Sequence, residues 1–424
     1  MTSHSHSPRT TSPAAAQARI PTSLLLTLTL LAGLGPLASD MYLPTFPHMI
    51  ADLATNASGV QLTLTAFLIG AGVGQLLFGP LSDRLGRLGP LVAGTAIFLG
   101  ASVLAALAPN LAVLLIARLL QGLAGAAGMV ISRAIVTDRA HGAEVARALS
   151  IIMLLSAIAP VIAPFAGSVL AAPIGWRGIM GVVAGAVAIA LICVLVFVRE
   201  SHPRGIRDQP TAPLRITARA LWSRAYLGSM LAFVFSFAEL MAYISASPFL
   251  YQTMIGLSQI DYGLAYALNV LVLMAVGFVS ARLVRRHSVA SLTSIGLAIN
   301  LIGVLAFTAL VMLRAPVAWY ALAMPIIVGS TGLISGNTTA LALIAIPSAA
   351  GLGSAILGGL QNLLAGAVVP VVNIAGTHTA VPLALTMLIT ALAADLAFAL
   401  VGYRPHESAD TPVQNPASHE TETA

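Results

Sequence analysis

Apolar residues in this chain come in long blocks separated by short polar breaks, without the strict alternation that marks a half-buried strand. A block of about twenty residues is what a helix needs to cross the ~30 Å hydrocarbon core of a bilayer. Spans are predicted near residues 22–45, 60–81, 89–108, 111–136, 145–171 and 176–198, and again near 227–250, 262–283, 289–312, 318–345, 350–375 and 380–402. Continuous blocks, rather than alternating ten-residue segments, exclude a β-barrel. The pattern predicts an all-α integral membrane protein of twelve transmembrane helices in two six-helix repeats, 22–198 and 227–403, joined by a polar, proline-bearing linker at 199–226. Residues 1–21 and 404–424 are rich in Ser, Thr, Pro, Ala and His and read as disordered tails. The run from Leu24 to Leu34 behind Arg19 resembles a leader, with Ala38-Ser39 as a cleavage point. It continues through Asp40-Met41-Tyr42-Leu43-Pro44, however, and is kept as the first span.

Composition agrees with lipid as the solvent: 58% of the residues are hydrophobic and 8% charged, and the mean hydropathy is +0.95. The net charge is +6, and all 20 basic residues are arginine. Without lysine there is neither a P-loop lysine nor a Schiff base, so nucleotide hydrolysis by this chain is not expected. The arginines lie in short breaks between apolar blocks, which speaks for membrane topology rather than a nucleic-acid surface. With the N-terminus inside, Arg84, Arg87, Arg139, Arg147, the six arginines of the linker, Arg282, Arg285 and Arg286 all fall on the cytoplasmic side. Arg177 and Arg314 fall outside, so both tails and the linker are expected in the cytoplasm. Cys193 is alone, which rules out an intrachain disulfide. The nine histidines lie in tails or predicted loops, His4 and His6 read as part of a solvated tail, and no metal or cofactor is expected.

The halves carry an internal repeat. Gly79-Pro-Leu-Ser-Asp83-Arg84-Leu-Gly86-Arg87 aligns with Gly277-Phe-Val-Ser-Ala281-Arg282-Leu-Val284-Arg285, each after the second span of its half. The copy lacks the acid and the second glycine. Parallel six-span repeats are a recognised transporter plan.

Gly79-x-x-x-Asp83-Arg84-x-Gly86-Arg87 resembles the loop signature of the major facilitator superfamily. Arg118-Leu-Leu-Gln121-Gly122, with Gly125 and Gly128, resembles its fourth-helix signature, and Ala163-Pro164-Phe165-Ala166-Gly167-Ser168 is similar to its fifth-helix antiporter motif. Asp40-Met-Tyr-Leu-Pro44, Arg133-Ala-Ile-Val-x-Asp138 and Ser247-Pro248-Phe249 resemble the Bcr/CflA group of drug:proton antiporters. The resemblance implies the major facilitator fold in a bacterial cytoplasmic membrane. It also implies a cytoplasmic latch in which Asp83 meets a second-half helix together with Arg84, with Asp138 and Arg139 joining the cluster. In the fifth span, Pro160 and Pro164 each delete a backbone hydrogen bond and are expected to kink the helix, while Gly167 permits close packing.

Charges inside apolar blocks are expensive and mark function by default. Asp40, Arg118, Glu239 and Asp395 are in such positions. Asp40 and Arg118 fall at similar depth, and a lone buried cation needs a carboxylate or several carbonyls around it. Glu239 lies one residue beyond the repeat counterpart of Asp40. A carboxylate in a low-dielectric cavity can take and release a proton near neutral pH, as coupling to a proton gradient requires. Gln121 shares the face of Arg118, and Tyr42, Tyr243 and Asn269 are candidate cavity walls. Asp395, near a span end, is read as reaching the surface.

The expected function is secondary active export of drug-like small molecules in exchange for protons, by alternating access, from a monomer in the bilayer with the proton gradient as driving force. A dedicated metabolite exporter or importer of the same fold is the nearest alternative. An enzyme or sensor is disfavoured, because neither a nucleophile motif nor a soluble signalling domain is legible.

Overall fold

The computed structural model describes residues 19–202 and 221–400. Most of the predicted tails and linker therefore lie outside the described residues. In chain order the helices are α1 (Thr22–Asp40), α2 (Phe46–Asp52), α3 (Ala57–Leu85), α4 (Leu88–Ala106), α5 (Leu111–Arg139) and α6 (Ala143–Phe197), then α7 (Arg224–Pro248), α8 (Gln259–Leu283), α9 (Val289–Met312), α10 (Tyr320–Ile344), α11 (Ala350–Val368) and α12 (Val381–Leu400). Among the described residues there is no strand, and 11 helical segments are long and apolar enough to cross a membrane.

Polar residues in the breaks set the helix starts. Asn56 and Asn110 accept hydrogen bonds from Gly59 N (2.9 Å) and Val113 N (3.0 Å), capping α3 and α5. Ser223, Ser258 and Ser288 do the same for α7, α8 and α9. Gly86, at φ 94°, ends α3 in a conformation that costs other residues a Cβ clash.

Two boundaries differ from the sequence pattern. The first span stops at Asp40 and passes through a tight turn, Leu43–Thr45, into the separate helix α2, which also carries His48. The spans predicted at 145–171 and 176–198 form one 55-residue stretch, α6, whose backbone leaves helical values at Gly175 (φ 62°, ψ −175°). At 1.5 Å per residue that stretch would run to about 80 Å if straight, far beyond one bilayer, and Gly175 is where it divides. The backbone keeps helical values through Pro160 and Pro164.

In the first half α3 packs along α5, α1 on α6, and α4 on α5 and α6; in the second half α7 packs on α10, α11 and α12, while α9 packs on α10 and α12. The halves meet along α3 with α11 and along α6 with α8. Each contact pairs the second span of one half with the fifth of the other, the arrangement a duplicated six-helix unit produces. Glycines let these backbones approach. A Cβ on Gly122 would collide with the Phe67 carbonyl, and one on Gly72 would meet the Gly359 carbonyl of α11.

The two ends of the bundle differ. Arg87, Arg139, Arg282, Arg285 and Arg286 gather where α3, α5 and α8 end. At the opposite end, Arg177 lies over the Trp176 ring (4.2 Å), donates to the Ala108 carbonyl (3.3 Å) and faces Asp52 (3.8 Å), which also accepts from Trp176 Nε1 (3.0 Å). Arg314, exposed and at φ 53°, occupies the turn after α9.

Candidate functional site: a cavity between the two halves

A cavity of about 350 Å³ opens between the halves. The first half contributes Pro36 and Asp40 from α1, Phe67 and Gln75 from α3, Gly122 and Met129 from α5, and Pro160 from α6. Phe237, Leu240 and Tyr243 of α7, Tyr266 and Met274 of α8, and Gln361 of α11 complete the wall. Its size and apolar lining, with a few polar groups, suit a small molecule. Asp40 is 6% exposed, and Ser39 Oγ donates to its Oδ1 (2.6 Å).

Four tyrosines of α7, α8 and the turn between them cluster at the Asp40 end of the second half. Tyr243 stacks on Tyr266 (6.4 Å between centroids), Tyr266 touches Tyr262 (6.1 Å), and Tyr262 touches Tyr251 (6.0 Å). Asn269 Nδ2 donates to the hydroxyls of Tyr243 (2.8 Å) and Tyr251 (3.1 Å), so it positions the cluster from behind and does not itself line the cavity. The Tyr266 hydroxyl is buried without a protein partner on a wall residue. Tyr262 and Tyr266 carry no motif. Their four-residue spacing, which places both on one helix face, was the available signal.

Arg118 sits behind this wall and is fully buried. It donates to the carbonyls of Ala38 (2.9 Å) and Thr63 (3.4 Å) and to Gln121 Oε1 (2.9 Å). The rings of Tyr42 (4.4 Å) and Phe67 (4.5 Å) lie against it, and Nη2 is buried without a protein partner. Gln121 Nε2 is in turn tied to Ser102 (2.9 Å), and Tyr42 OH to Thr63 (2.9 Å). Carbonyls and aromatic faces therefore hold the guanidinium, and Asp40 makes no ion pair with it within 4 Å. Tyr42, expected as a cavity wall, is instead spent on Arg118.

Beyond Asp40 the halves are sewn together. Gln61 Nε2 donates to the Ser245 carbonyl (3.1 Å), Gln252 to the Pro44 carbonyl (3.0 Å), and Ser58 to the Asn373 carbonyl (3.4 Å). Phe46 and Phe249 pack at 6.1 Å. At the arginine-rich end, Arg87 instead closes on its own half. Only 7% exposed, it binds Asp138 (2.9 Å), Asp83 and Ser82 Oγ (2.8 Å). Burial opposes the charge of Arg87, and the bonds from Asp138 and Asp83 more than offset it, raising its pKa above the ordinary arginine value. Glu200 accepts from the backbone N–H groups of Arg87 (2.9 Å) and Leu88 (3.3 Å), a carboxylate at the positive end of α4.

The sequence profile of the Major Facilitator Superfamily matches residues 28–370. The chain belongs to that superfamily. Its relatives include an uncharacterized MFS-type transporter, YdgK, of Bacillus subtilis, 34% identical over 380 residues and covering 89% of this chain and 94% of that one. The bicyclomycin resistance protein homolog of Haemophilus influenzae is 28% identical over 369 residues, 86% and 92% of the two chains. A chloramphenicol resistance protein of Pseudomonas aeruginosa is 33% identical over 249 residues, 58% and 59% of the chains. Among solved structures, an inward-facing bacterial homologue of the lysosomal transporter Spinster superposes with a TM-score of 0.70 at 17% identity, covering 89% of this chain and 95% of that one, a likeness of fold. This chain is a multi-pass membrane transporter of small molecules, and drug-resistance proteins are among its relatives.

Within that family frame the sequence-selected residues divide. Asp40 and Tyr243 line the cavity, as does Pro160; Arg118 and Gln121 support it from behind. Glu239 is a correction: it points away from the cavity, into the second half, where Asn300 Nδ2 donates to its Oε1 (2.9 Å). Of the residues predicted for the latch, Asp83 and Asp138 bind the buried Arg87, Gly86 ends α3 and the Gly79 carbonyl accepts from Ser82 Oγ (3.0 Å), whereas Arg84 is exposed and Arg139 donates to the Arg199 carbonyl (2.7 Å). Asp83 pairs with Arg87 rather than with a second-half helix. In the antiporter motif, Pro164 accepts from Ser168 Oγ through its carbonyl (2.8 Å), and Gly167 makes room for the Met41 carbonyl, so it seats α6 against the end of α1. The repeat copy carries no acid, and Arg282 lies over the ring of Phe278 (4.3 Å).

Proposed function

We propose that this chain exports drug-like small molecules across the bacterial cytoplasmic membrane in exchange for protons, by alternating access of the cavity between its halves. The observation that carries this reading is the cavity itself: an apolar pocket between two repeats with one carboxylate, Asp40, at its closed end. A proton and a cationic or hydrogen-bonding substrate would compete for that carboxylate, so that protonation releases the substrate. Division of α6 at Gly175 gives twelve crossings, and the arginine-rich end is assigned to the cytoplasm with both termini. The conformation is then closed outward, with Asp83 and Arg87 ready to meet the second half in the opposite state. The proton gradient is the driving force, without a cofactor, and one chain is the working unit. The names of the bicyclomycin and chloramphenicol resistance relatives support these compounds as probes.

Two measurements test the proposal. Expression in a pump-deficient bacterium is expected to raise resistance to several unrelated drugs; resistance to one compound alone would point to a dedicated exporter. In proteoliposomes, Asp40→Asn is expected to reduce pH-gradient-driven movement of a transported drug at least about tenfold. Full retention would remove Asp40 from coupling.

A further inference from the structure

Of the stretch Arg133-Ala-Ile-Val-x-Asp138, the site described above uses only Asp138, which binds Arg87. Arg133 is left over. The cavity wall runs along α5 through Gly122, Gly125, Ala126 and Met129 toward the arginine-rich end, about 10 Å at 1.5 Å per residue. Arg133 is the next position of that stripe, four residues beyond Met129 and seven beyond Ala126, intervals that share one helix face. Side chains on a helix lean toward its N-terminus, which for Arg133 is toward Met129 and the cavity. Arg133 is exposed, whereas Ile131, Ser132, Ile135 and Val136 around it are buried. Topology alone puts arginines in the connections, where Arg139 already is. Arg133 stands six residues before the end of α5, a place for charge that faces a water-filled opening.

The lining helices do not neutralise it. Among the described residues Arg133 has no ion pair and no hydrogen-bond partner. Asp83 of α3 and Asp138 of α5 are taken by Arg87. Glu144 of α6 is taken by Arg147 (2.7 Å) and the Ile20 N–H (3.2 Å), and the one acid of α1 is Asp40. On the opposite wall α10 and α11 contain no charged residue, Glu239 of α7 turns to Asn300, and the one acid of α8, Asp261, is in its first turn, far from the arginine-rich end. The cavity therefore has a carboxylate at its closed end, an uncompensated guanidinium at its mouth and apolar wall between. A cleft with low-dielectric walls focuses such a field, concentrating one sign of charge and excluding the other.

We propose that Arg133 is the selectivity residue of the cavity mouth. It admits neutral or zwitterionic molecules that present a hydrogen-bond acceptor, such as a carbonyl, nitro or carboxylate group, and turns back lipophilic monocations. The acceptor is read at entry by the guanidinium, and a donor is read deeper in the cavity by Asp40. This substrate class rests on the export reading above and narrows it to its hydrogen-bonding branch; the field at the mouth does not depend on transport.

Charged methanethiosulfonate reagents measure that field without reference to any substrate. In the purified full chain in lipid nanodiscs, carrying Cys193→Ser and Met129→Cys, the thiol stands one turn inside Arg133. The anionic sulfonatoethyl reagent is expected to modify it faster than the cationic trimethylammonium reagent, each rate taken relative to that with a free thiol. Arg133→Gln is expected to lower this preference about tenfold and Arg133→Glu to reverse it, while Arg133→Lys keeps it and added salt weakens it. An arginine with a structural role alone would leave the ratio unmoved. A ratio unchanged in Arg133→Gln, or a thiol at position 129 that neither reagent reaches, overturns the assignment. In proteoliposomes the wild-type chain is expected to move chloramphenicol, a neutral nitro compound, in preference to tetraphenylphosphonium, and Arg133→Gln to raise KM for chloramphenicol about tenfold at little-changed kcat. Preferential movement of tetraphenylphosphonium, or of neither probe, overturns the substrate class. If the thiol ratio responds as described while Asp40→Asn retains pH-driven transport, the mouth stands and the coupling reading falls.

Discussion

A fully buried guanidinium such as that of Arg118 is stable only because its surroundings were built for its shape. Two carbonyls and a glutamine take the donors of its Nε and Nη1, two rings lie against it, and Nη2 is buried without a protein partner. Lysine keeps the charge but not the planar fork, so Arg118→Lys is expected to cost about 2 kcal/mol, read as a lower unfolding temperature in detergent. An unchanged melting curve would show that the fork is dispensable. Asp40 and Arg118 were legible in the sequence because charge inside an apolar block is conspicuous. Glu239 was equally conspicuous, yet depth along a helix says nothing about which face a residue occupies, and that face excludes it from the cavity. Tyr266 was missed for the converse reason: a tyrosine in a span is ordinary, and it becomes notable only when its hydroxyl is found unpaired on the wall.

At the scale of elements, the close approach of α3 and α5 depends on residues without side chains. A methyl group at Gly122 would collide with the Phe67 carbonyl, which is backbone and cannot swing aside. Gly122→Ala is therefore expected to destabilise by about 1–3 kcal/mol, with Gly100→Ala, whose Cβ would meet open space, as the neutral control in the same unfolding assay. Arg87 is the corresponding point among the connections, since one side chain ties the end of α3 to the end of α5 while its backbone meets Glu200 beyond α6. The approximate limits of most helices were readable from apolar block length. The missed boundaries have local causes: a proline-bearing turn that ends α1 early, and at Gly175 a single residue that redirects a chain whose hydropathy never falls.

For the molecule as a whole, the duplication visible in the sequence is the fold, because each half presents its second and fifth spans to the other. The cavity could not be read in the same way, since it is made by helices far apart in sequence. Its closure at the end away from the arginine cluster rests on contacts such as Gln61 with Ser245. With Cys193 replaced by serine, a Gln61→Cys, Ser245→Cys pair bridged by a short bis-methanethiosulfonate linker, which spans the reach that the glutamine side chain had, is expected to stop transport and to restore it on reduction; unimpaired transport in the bridged form would mean that this end does not open.

The two arginines of the opposite end bear on a matter separate from transport. Arg177 is held by Trp176, Asp52 and the Ala108 carbonyl, and α6 turns at Gly175 without a projecting loop. Arg314 stands exposed in its turn. Among the described residues, trypsin supplied from that side alone is expected to cut first after Arg314, because Arg177, though also exposed, lies in helical backbone and is tied to Trp176, Asp52 and the Ala108 carbonyl. Attack from the arginine-rich side would give many fragments. The digestion pattern of sealed vesicles thus reports which way the protein lies in its membrane.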